Sequence, residues 1–543
     1  MSIRRYVALG LACLNWAPWA LSQNVLSINK VPGRIESTAQ QLTHSLKIQG
    51  YEVLRGYFKL MTVDDCDLSY KVMHTCYANN PAAPYVVPIV PPWPDEWVDP
   101  ATIGALGKTA DGYNATYRLN PREALVILAQ MPPPADFFGE KTYLFTREGE
   151  LCTKSFDYNW IQSNMPALFP TFFSVVPSEP ERVQIIADLS NSPNNVTITK
   201  QSGSVWDHLR YFVITPNPAM DAAVRGALAK LGIADQDIVT EKIPGYIGSI
   251  PDDPTRDCPA AADLRFGPDR QADDFVTIIR YAMPVDDAAA DRWRQRLPLV
   301  VLRIRNLAAE DKSYAWENFD DRTPSVPPES WYNDPPQNYL DTLTQAVCES
   351  WNKLETTQNC TAWHNFLNMQ TPPLLLTGPN CVSDWMNCIA PGEDTTYQMS
   401  PKLPLDPNHF YAVAGPLSTA TDNATYVGLG LNMSMQQLGF ANLTNKDLED
   451  TATGYSDAVP SEKFFVYYFA RDCESLAGQL PAGVGFKCYS ISDKLPYCYN
   501  SADLSCNMLS LSLRGYIRPG TQRGSDQKSL LNSRFIYLTI PKK

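Results

Sequence analysis

Between Leu209 and Gly232 the hydrophobic period of the chain changes once. "LRYFVIT" is a run of branched and aromatic residues of strand length; beyond Pro216 and Pro218, the apolar residues Met220, Val224, Ala227, Leu228 and Leu231 return at helical spacing. Pro218 suits a first helical position, Asp221 falls in the first turn, and Gly232 marks the stop. The same alternation continues downstream. "DIVTEKI" (237–243) and "DFVTIIRYAM" (274–283) read as strands. "DDAAADRWRQRL" (286–297) reads as a helix with Ala290, Trp293 and Leu297 on one face, and "LVVLRIR" (299–305) as a strand. The order β-α-β-β-α-β, with "MDAA" echoed by "DDAA", predicts a ferredoxin-like split βαβ domain over 206–310. A fragment of a larger α/β sheet is the alternative.

The flanks carry other periods. Residues 23–205 hold short branched or aromatic runs bounded by turns, such as "YEVLRGYFKLMTV", "EALVILAQM" and "RVQIIADL", and predict a β-rich N-terminal domain. Residues 311–400 are rich in Cys, Trp and Pro, and Leu340, Leu343, Val347 and Trp351 recur at helical spacing, which predicts a disulfide-braced helical insert. Residues 401–543 return to strands that alternate apolar and polar positions, including "ATYVGLGLNM" and "MLSLSLRGYI", and predict an antiparallel β-sandwich. The fold class is therefore α+β and multidomain. The 45 prolines, clustered in segments such as "NNPAAPYVVPIVPPWP", disfavour long helices and favour short strands joined by stiff loops.

The first 22 residues place Arg4 and Arg5 ahead of an apolar stretch that ends in Ala20-Leu21-Ser22, the pattern of a cleaved secretory signal. Cysteine usage agrees. Beyond Cys13 there remain Cys66, Cys76, Cys152, Cys258, Cys348, Cys360, Cys381, Cys388, Cys473, Cys488, Cys498 and Cys506, an even set with no CxxC pair, as in an oxidising compartment. Cys66/Cys76, Cys348/Cys360, Cys381/Cys388 and Cys488/Cys498 are candidates for local pairing, although spacing does not fix connectivity. N-glycosylation sequons stand at Asn114, Asn195, Asn359, Asn423, Asn432 and Asn442; the last three predict one solvated face. Loss of the signal removes two arginines and no acids, taking the formal charge from −13 to −15. That balance argues against nucleic acid or an anionic membrane as partner. The expected location is extracellular or the lumen of the secretory pathway, with no integral membrane contact and with a small molecule, a glycan or a protein as partner.

Chemistry is sparsely marked. "ITPNPAM" has no glycine and two prolines, so it lacks the free N–H groups of a phosphate cradle, and no other nucleotide motif occurs; no cofactor is predicted. "GYSDA" lacks the second glycine of a nucleophile elbow, which makes Ser456 a loop serine. No histidine pair has metal-ligand spacing, and the acidic clusters at 64–67 and 251–258 do not match a calcium loop, so no metal is predicted either. His364 in "AWHNF" and His409 in "PNHFY" are the catalytic candidates, beside the plainer reading of packed structural histidines. Asp95, Glu96, Glu317, Asp320 and Asp321 lie near tryptophans, as glycosidase acids do, but so many acids make the adjacency common by chance. Two functions fit: a secreted, cofactor-independent hydrolase, or a non-catalytic extracellular binding protein. A factor acting within the secretory pathway is the third reading.

Overall fold

Asn217 starts the central helix. Its side-chain oxygen accepts from the N–H groups of Ala219 and Met220, Pro218 occupies the first turn, and the helix Pro218–Lys230 buries Met220, Val224, Ala227 and Leu228 before Gly232 turns the chain at φ +79°. The helix Asp287–Arg296 is built alike, capped by Asp286, with Ala290 and Trp293 buried and Arg294 and Arg296 in the last turn, where cations favour the helix dipole. Both elements come from a computed structural model that describes residues 33–77, 79–166, 168–247, 263–306, 308, 313–319, 322–352, 360–404, 409–493 and 508–539. The predicted secretion signal lies outside these residues.

The described residues form four principal sheets. The first has the order Glu52–Arg55, Leu299–Arg305, Glu123–Gln130, Leu209–Thr215, Ile238–Lys242. All its pairings are antiparallel except the last, where the helix Pro218–Lys230 makes the crossover between two adjacent parallel strands. The second has the order Tyr57–Leu60, Val86–Ile89, Asp274–Pro284, Ala135–Glu148, Arg182–Asp188, Val175–Val176. One core lies between these sheets: Leu125, Ile127, Phe212 and Ile214 from the first meet Phe138, Leu144, Ile185 and Ile279 from the second. The helices Gly33–Ile48 and Pro218–Lys230 cover the far face of the first sheet through Ile35, Leu42, Val224 and Leu228.

This arrangement corrects the ferredoxin-like expectation. In a split βαβ fold a strand of the second unit separates the two parallel strands of the first. Here those strands are neighbours, Asp274–Pro284 belongs to the other sheet against Ala135–Glu148, and Leu299–Arg305 pairs with Glu123–Gln130. The stretch 206–310 is thus interleaved with strands from 23–205. The cause is visible in Asp274–Pro284, where Phe275 and Ile279 pack into the core between the sheets while Val276 and Ile278 pack on the opposite face. A strand buried on both sides carries no periodic signal of the sheet to which it belongs.

The remaining two sheets form a sandwich. The third runs Cys360–Asn365, Arg534–Thr539, His409–Pro416, Phe464–Ala470, Cys488–Ser490, and the fourth Leu367–Asn368, Thr395–Met399, Leu509–Tyr516, Tyr426–Met433, Leu438–Thr444. Val413, Phe465 and Phe535 of the third pack on Leu429, Leu431 and Leu511 of the fourth. The helix Tyr339–Asn352 covers the outer face of the third sheet with Leu340, Leu343, Val347 and Trp351, all fully buried, each such side chain contributing about 1.5–3 kcal/mol. The region 311–400 is therefore not only helical, since it supplies an edge strand to each of these sheets and the strand Thr395–Met399 to the fourth.

Disulfides join Cys66 to Cys76, Cys381 to Cys388 and Cys473 to Cys488, and Cys152 and Cys348 are disulfide-bonded as well. Cys258, Cys498 and Cys506 lie outside the described residues, as does the side chain of Cys360. Cys488, which its spacing offers as a partner for Cys498, pairs instead with Cys473, because Cys488–Ser490 runs parallel to Phe464–Ala470 and brings the two cysteines to a Cα separation of 5.8 Å. The bridge closes a 15-residue separation, so Cys473→Ser with Cys488→Ser is expected to cost about 3 kcal/mol in urea denaturation. A loss below about 0.5 kcal/mol would show that this end of the third sheet is held without the bridge.

Candidate functional site

The outer faces of the second and fourth sheets meet, and the seam between them is the functional candidate. Phe137 packs against Tyr516 with centroids 4.6 Å apart and the rings tilted, and Ala83, Ala282, Tyr426 and Ile517 complete a small apolar contact. Polar contacts brace it: Asn80 donates to Tyr426 (3.2 Å), Thr75 to Gln437 (2.9 Å), Arg523 to Asn191 (2.6 Å) and Asn194 to the carbonyl of Gln522 (2.9 Å). The alternating strands of the fourth sheet explain the chemistry of this face. Leu429, Leu431, Leu511 and Leu513 point into the sandwich, leaving Gly428, Gly430, Ser512, Arg514 and Tyr516 for the seam. A Cβ at Gly430 would stand 2.7 Å from Nη1 of Arg514 and 2.9 Å from Oγ of Ser512 on the neighbouring strand, so a larger residue there would displace those side chains.

Beside the apolar contact the seam holds a cavity of about 50 Å³ that widens to about 670 Å³ only when its solvent-open mouth is counted. Tyr77, Asn80, Tyr85, Arg280 and Ile389 line it on the side of the second sheet, Tyr397, Met399, Arg514 and Tyr516 on the side of the fourth, and Met369 and Leu376 border it as well. No carboxylate is among its lining residues. Burial pushes the hydroxyl of Tyr397 up, and that of Tyr143 behind Arg280 likewise, so both stay protonated as hydrogen-bond donors. A second, apolar cavity bordered by Trp160, Met165, Leu168 and Leu367 adjoins the first at Met399, and a third, more polar one reaches it through Lys402. His74, Ser174 and Ser434 border that third cavity, but no hydrogen bond links them to one another or to Lys402. Burial lowers the pKa of Lys402.

Next to the cleft lies a buried charged group. Glu393 accepts from Arg523 (2.6 Å) and pairs with Arg322 (3.4 Å); Asp188 has no hydrogen-bond partner for either carboxylate oxygen. Burial, then the charge of Glu393, pushes Asp188 up to about 7, against Lys141 and Arg523. For Glu393 burial acts upward as well, but Arg322, Arg523 and Lys141 prevail and hold its pKa below the ordinary value. Between the first and second sheets, Glu140 faces Glu241. Burial and the neighbouring charge raise Glu140 well above its usual range, while Glu241 accepts from the Thr142 amide (2.9 Å) and Ser190 (3.0 Å). This acid pair borders none of the three seam cavities.

The sequence candidates lie elsewhere. His364 sits exposed on the edge strand of the third sheet, stacked on Phe535 at 5.2 Å, and His409 packs on Tyr537 at 4.5 Å. Neither borders the seam cavities. Asp95 pairs with Arg305 (2.8 Å), Glu96 with buried Arg303 (2.7 Å) and Glu317 with Lys242 (2.9 Å), so these Trp-adjacent acids serve ion pairs; Asp320 and Asp321 lie outside the described residues. In the acidic cluster 64–67, Asp65 caps the turn by accepting from Thr62 (2.9 Å); the cluster 251–258 is outside the described residues. Ser456 accepts from the Ala458 amide (3.2 Å) as a turn residue does. Among the described residues no three His, Cys, Asp or Glu side chains gather as a metal site.

The sequons divide. Asn114, Asn195 and Asn442 are partly exposed and Asn359 is outside the described residues, whereas Asn423 and Asn432 are each 3% exposed. Asn423 accepts from Ser525 (2.9 Å) and Asn432 donates to Ser512 (3.1 Å), leaving no room for a glycan on either in the folded chain. The last three sequons thus do not mark one solvated face. The sequence signal for the seam is a lone arginine within each of two apolar strands, "TIIRYAM" and "LSLRGY".

No family model matches the chain, and no curated protein does. Among solved structures it is similar to an uncharacterized protein from Burkholderia cenocepacia (8% identity, TM-score 0.31). It is also similar to the VPA0106 protein from Vibrio parahaemolyticus (9%, TM-score 0.30). Each alignment covers 93% of this chain and 96% of the other. Scores this low carry no argument about fold or function. Among the described residues no helix is long and apolar enough to cross a membrane, and the disulfides suit an oxidising compartment.

Proposed function

We propose that the protein is a non-catalytic binding protein, exported to an oxidising compartment, that takes a small ligand in the cleft between its two halves. The observation that carries this reading is the lining of the cleft: aromatic and apolar walls with a few convergent polar groups, the composition of a small-molecule site. Hydrolysis would call for a histidine or an acid pair converging on the substrate, and the candidates His364 and His409 stand on the opposite sandwich sheet instead. A narrow cleft also favours a small ligand over a protein surface.

The test is a fragment screen on the oxidised, full-length secreted protein, read by thermal shift and by ligand-detected NMR. The cleft-filling variant Met399→Trp serves as control, and the same protein is offered ester, glycoside and peptide substrates. Hits that stabilise the protein and vanish in Met399→Trp are expected, without turnover. Hits unaffected by Met399→Trp, or turnover lost in His364→Ala or His409→Ala, would overturn the proposal.

A further inference from the structure

The geometry points to a small carboxylate with an apolar body as the ligand of the seam cleft, its carboxylate paired with Arg280. This rests on the binding reading above and narrows it. Arg280 is 8% exposed on a central strand of the second sheet. Its guanidinium makes one side-chain hydrogen bond, to the carbonyl of Ala390 at 3.3 Å, and lies between the rings of Tyr85 (5.4 Å) and Tyr143 (5.7 Å). Among the described residues no carboxylate stands within 4.0 Å of it. Other deeply buried arginines are treated differently: Arg147 meets Asp273 at 2.7 Å, Arg303 meets Glu123 at 2.6 Å and Arg182 meets Asp274 at 3.2 Å. A buried cation without an anion is unfavourable, so the unfilled partner position is a specification for the ligand.

The surroundings narrow its class. Asp394, which precedes the fourth-sheet strand Thr395–Met399 and reaches across the seam beside Gly139, is engaged by Thr395 (3.2 Å) and Asn194 (3.5 Å) rather than by Arg280. Arg514 lines the cleft from the fourth sheet. A planar guanidinium fork matches a carboxylate bidentately. Met369, Leu376 and Met399 then offer an apolar wall to whatever the carboxylate is attached to, which a compact inorganic anion would leave empty.

The experiment is titration calorimetry of the full, oxidised protein with 4-phenylbutyrate and octanoate, with their uncharged amides, and with inorganic phosphate. The carboxylates are expected to bind at least about 30-fold more tightly than the amides. Arg280→Gln should erase that preference and Arg280→Lys should restore part of it. Should Arg280→Gln fail to fold, the carboxylate-to-amide ratio on the unaltered protein decides alone. Equal binding of amides overturns the anion assignment while leaving the cleft as a ligand site. Phosphate binding as tightly as the carboxylates overturns the apolar body. Absence of binding by any carboxylate at millimolar concentration overturns the inference, and the fragment screen then judges the broader reading separately.

Discussion

Arg303→Met is expected to destabilise the protein by about 3–5 kcal/mol at pH 7, a large share of the roughly 5–15 kcal/mol that holds a typical domain together. Arg303 is fully buried, donating from Nε to Glu123 (2.6 Å) and from Nη1 to Glu96 (2.7 Å), with the carbonyls of Pro91 (3.0 Å) and Arg118 (2.8 Å) taking its other donors. Burial works against its charge, yet Glu123 and Glu96 more than offset that and hold its pKa above the ordinary value. Methionine fills much of the same volume, so the loss is not chiefly a cavity. It comes from two carboxylates left inside without a cation, one of which, Glu123, is already pushed up by burial with Arg303 present. The sign of the pH dependence follows. Without Arg303 nothing offsets the burial that already raises Glu123, the folded variant binds a proton that the unfolded chain does not, and its deficit shrinks as pH falls. Urea denaturation at pH 5 and pH 7 checks this. A loss below about 1 kcal/mol, or one that does not change with pH, would mean that water reaches the site and that the ion-pair web is not what the first half depends on.

That web shows how far the sequence could be read. The helix Pro218–Lys230 was legible down to its buried positions because cap, period and stop all coincide within one local stretch. Sheet membership was not legible: Asp274–Pro284 pairs with Ala135–Glu148 through contacts between distant segments, and both strands are buried on two faces. The same limit governed function. Aromatic neighbours drew attention to His364 and His409, but those rings are stacking partners on the third sheet. The cleft is assembled from Tyr85, Arg280, Tyr397 and Arg514, whose juxtaposition depends on two sheets meeting face to face. Alternation in "YVGLGLNM" and "LSLSLRGY" predicted strands of a sandwich, but not that the polar face of this sheet is covered by the other half of the chain. An arginine interrupting an apolar strand was the local sign available, and it marks both cleft cations.

The seam should also make stability depend on pH through two acids with opposite slopes. Asp188 is pushed up to about 7 by burial and by the charge of Glu393, against Lys141 and Arg523. Between its unfolded value near 3.8 and about 7, the folded state holds a proton that the unfolded chain releases, so this acid's contribution declines as pH rises through that window and is flat above it. The distance between those two values sets an upper bound of about 4 kcal/mol. Asp188→Asn removes the titration while keeping the shape of the neutral acid. It is therefore expected to match the unaltered protein near pH 4 and to exceed it by a few kcal/mol at pH 8 in urea denaturation. Glu393 runs the other way: its pKa is held down, so its contribution is present above the usual glutamate value and is lost as pH falls. Glu393→Gln strips Arg523 and Arg322 of their partner and should destabilise most at neutral pH and least in acid. A gap between Asp188→Asn and the unaltered protein that stays constant from pH 4 to 8 would show Asp188 ionised throughout, with Lys141 and Arg523 controlling the seam in place of Glu393.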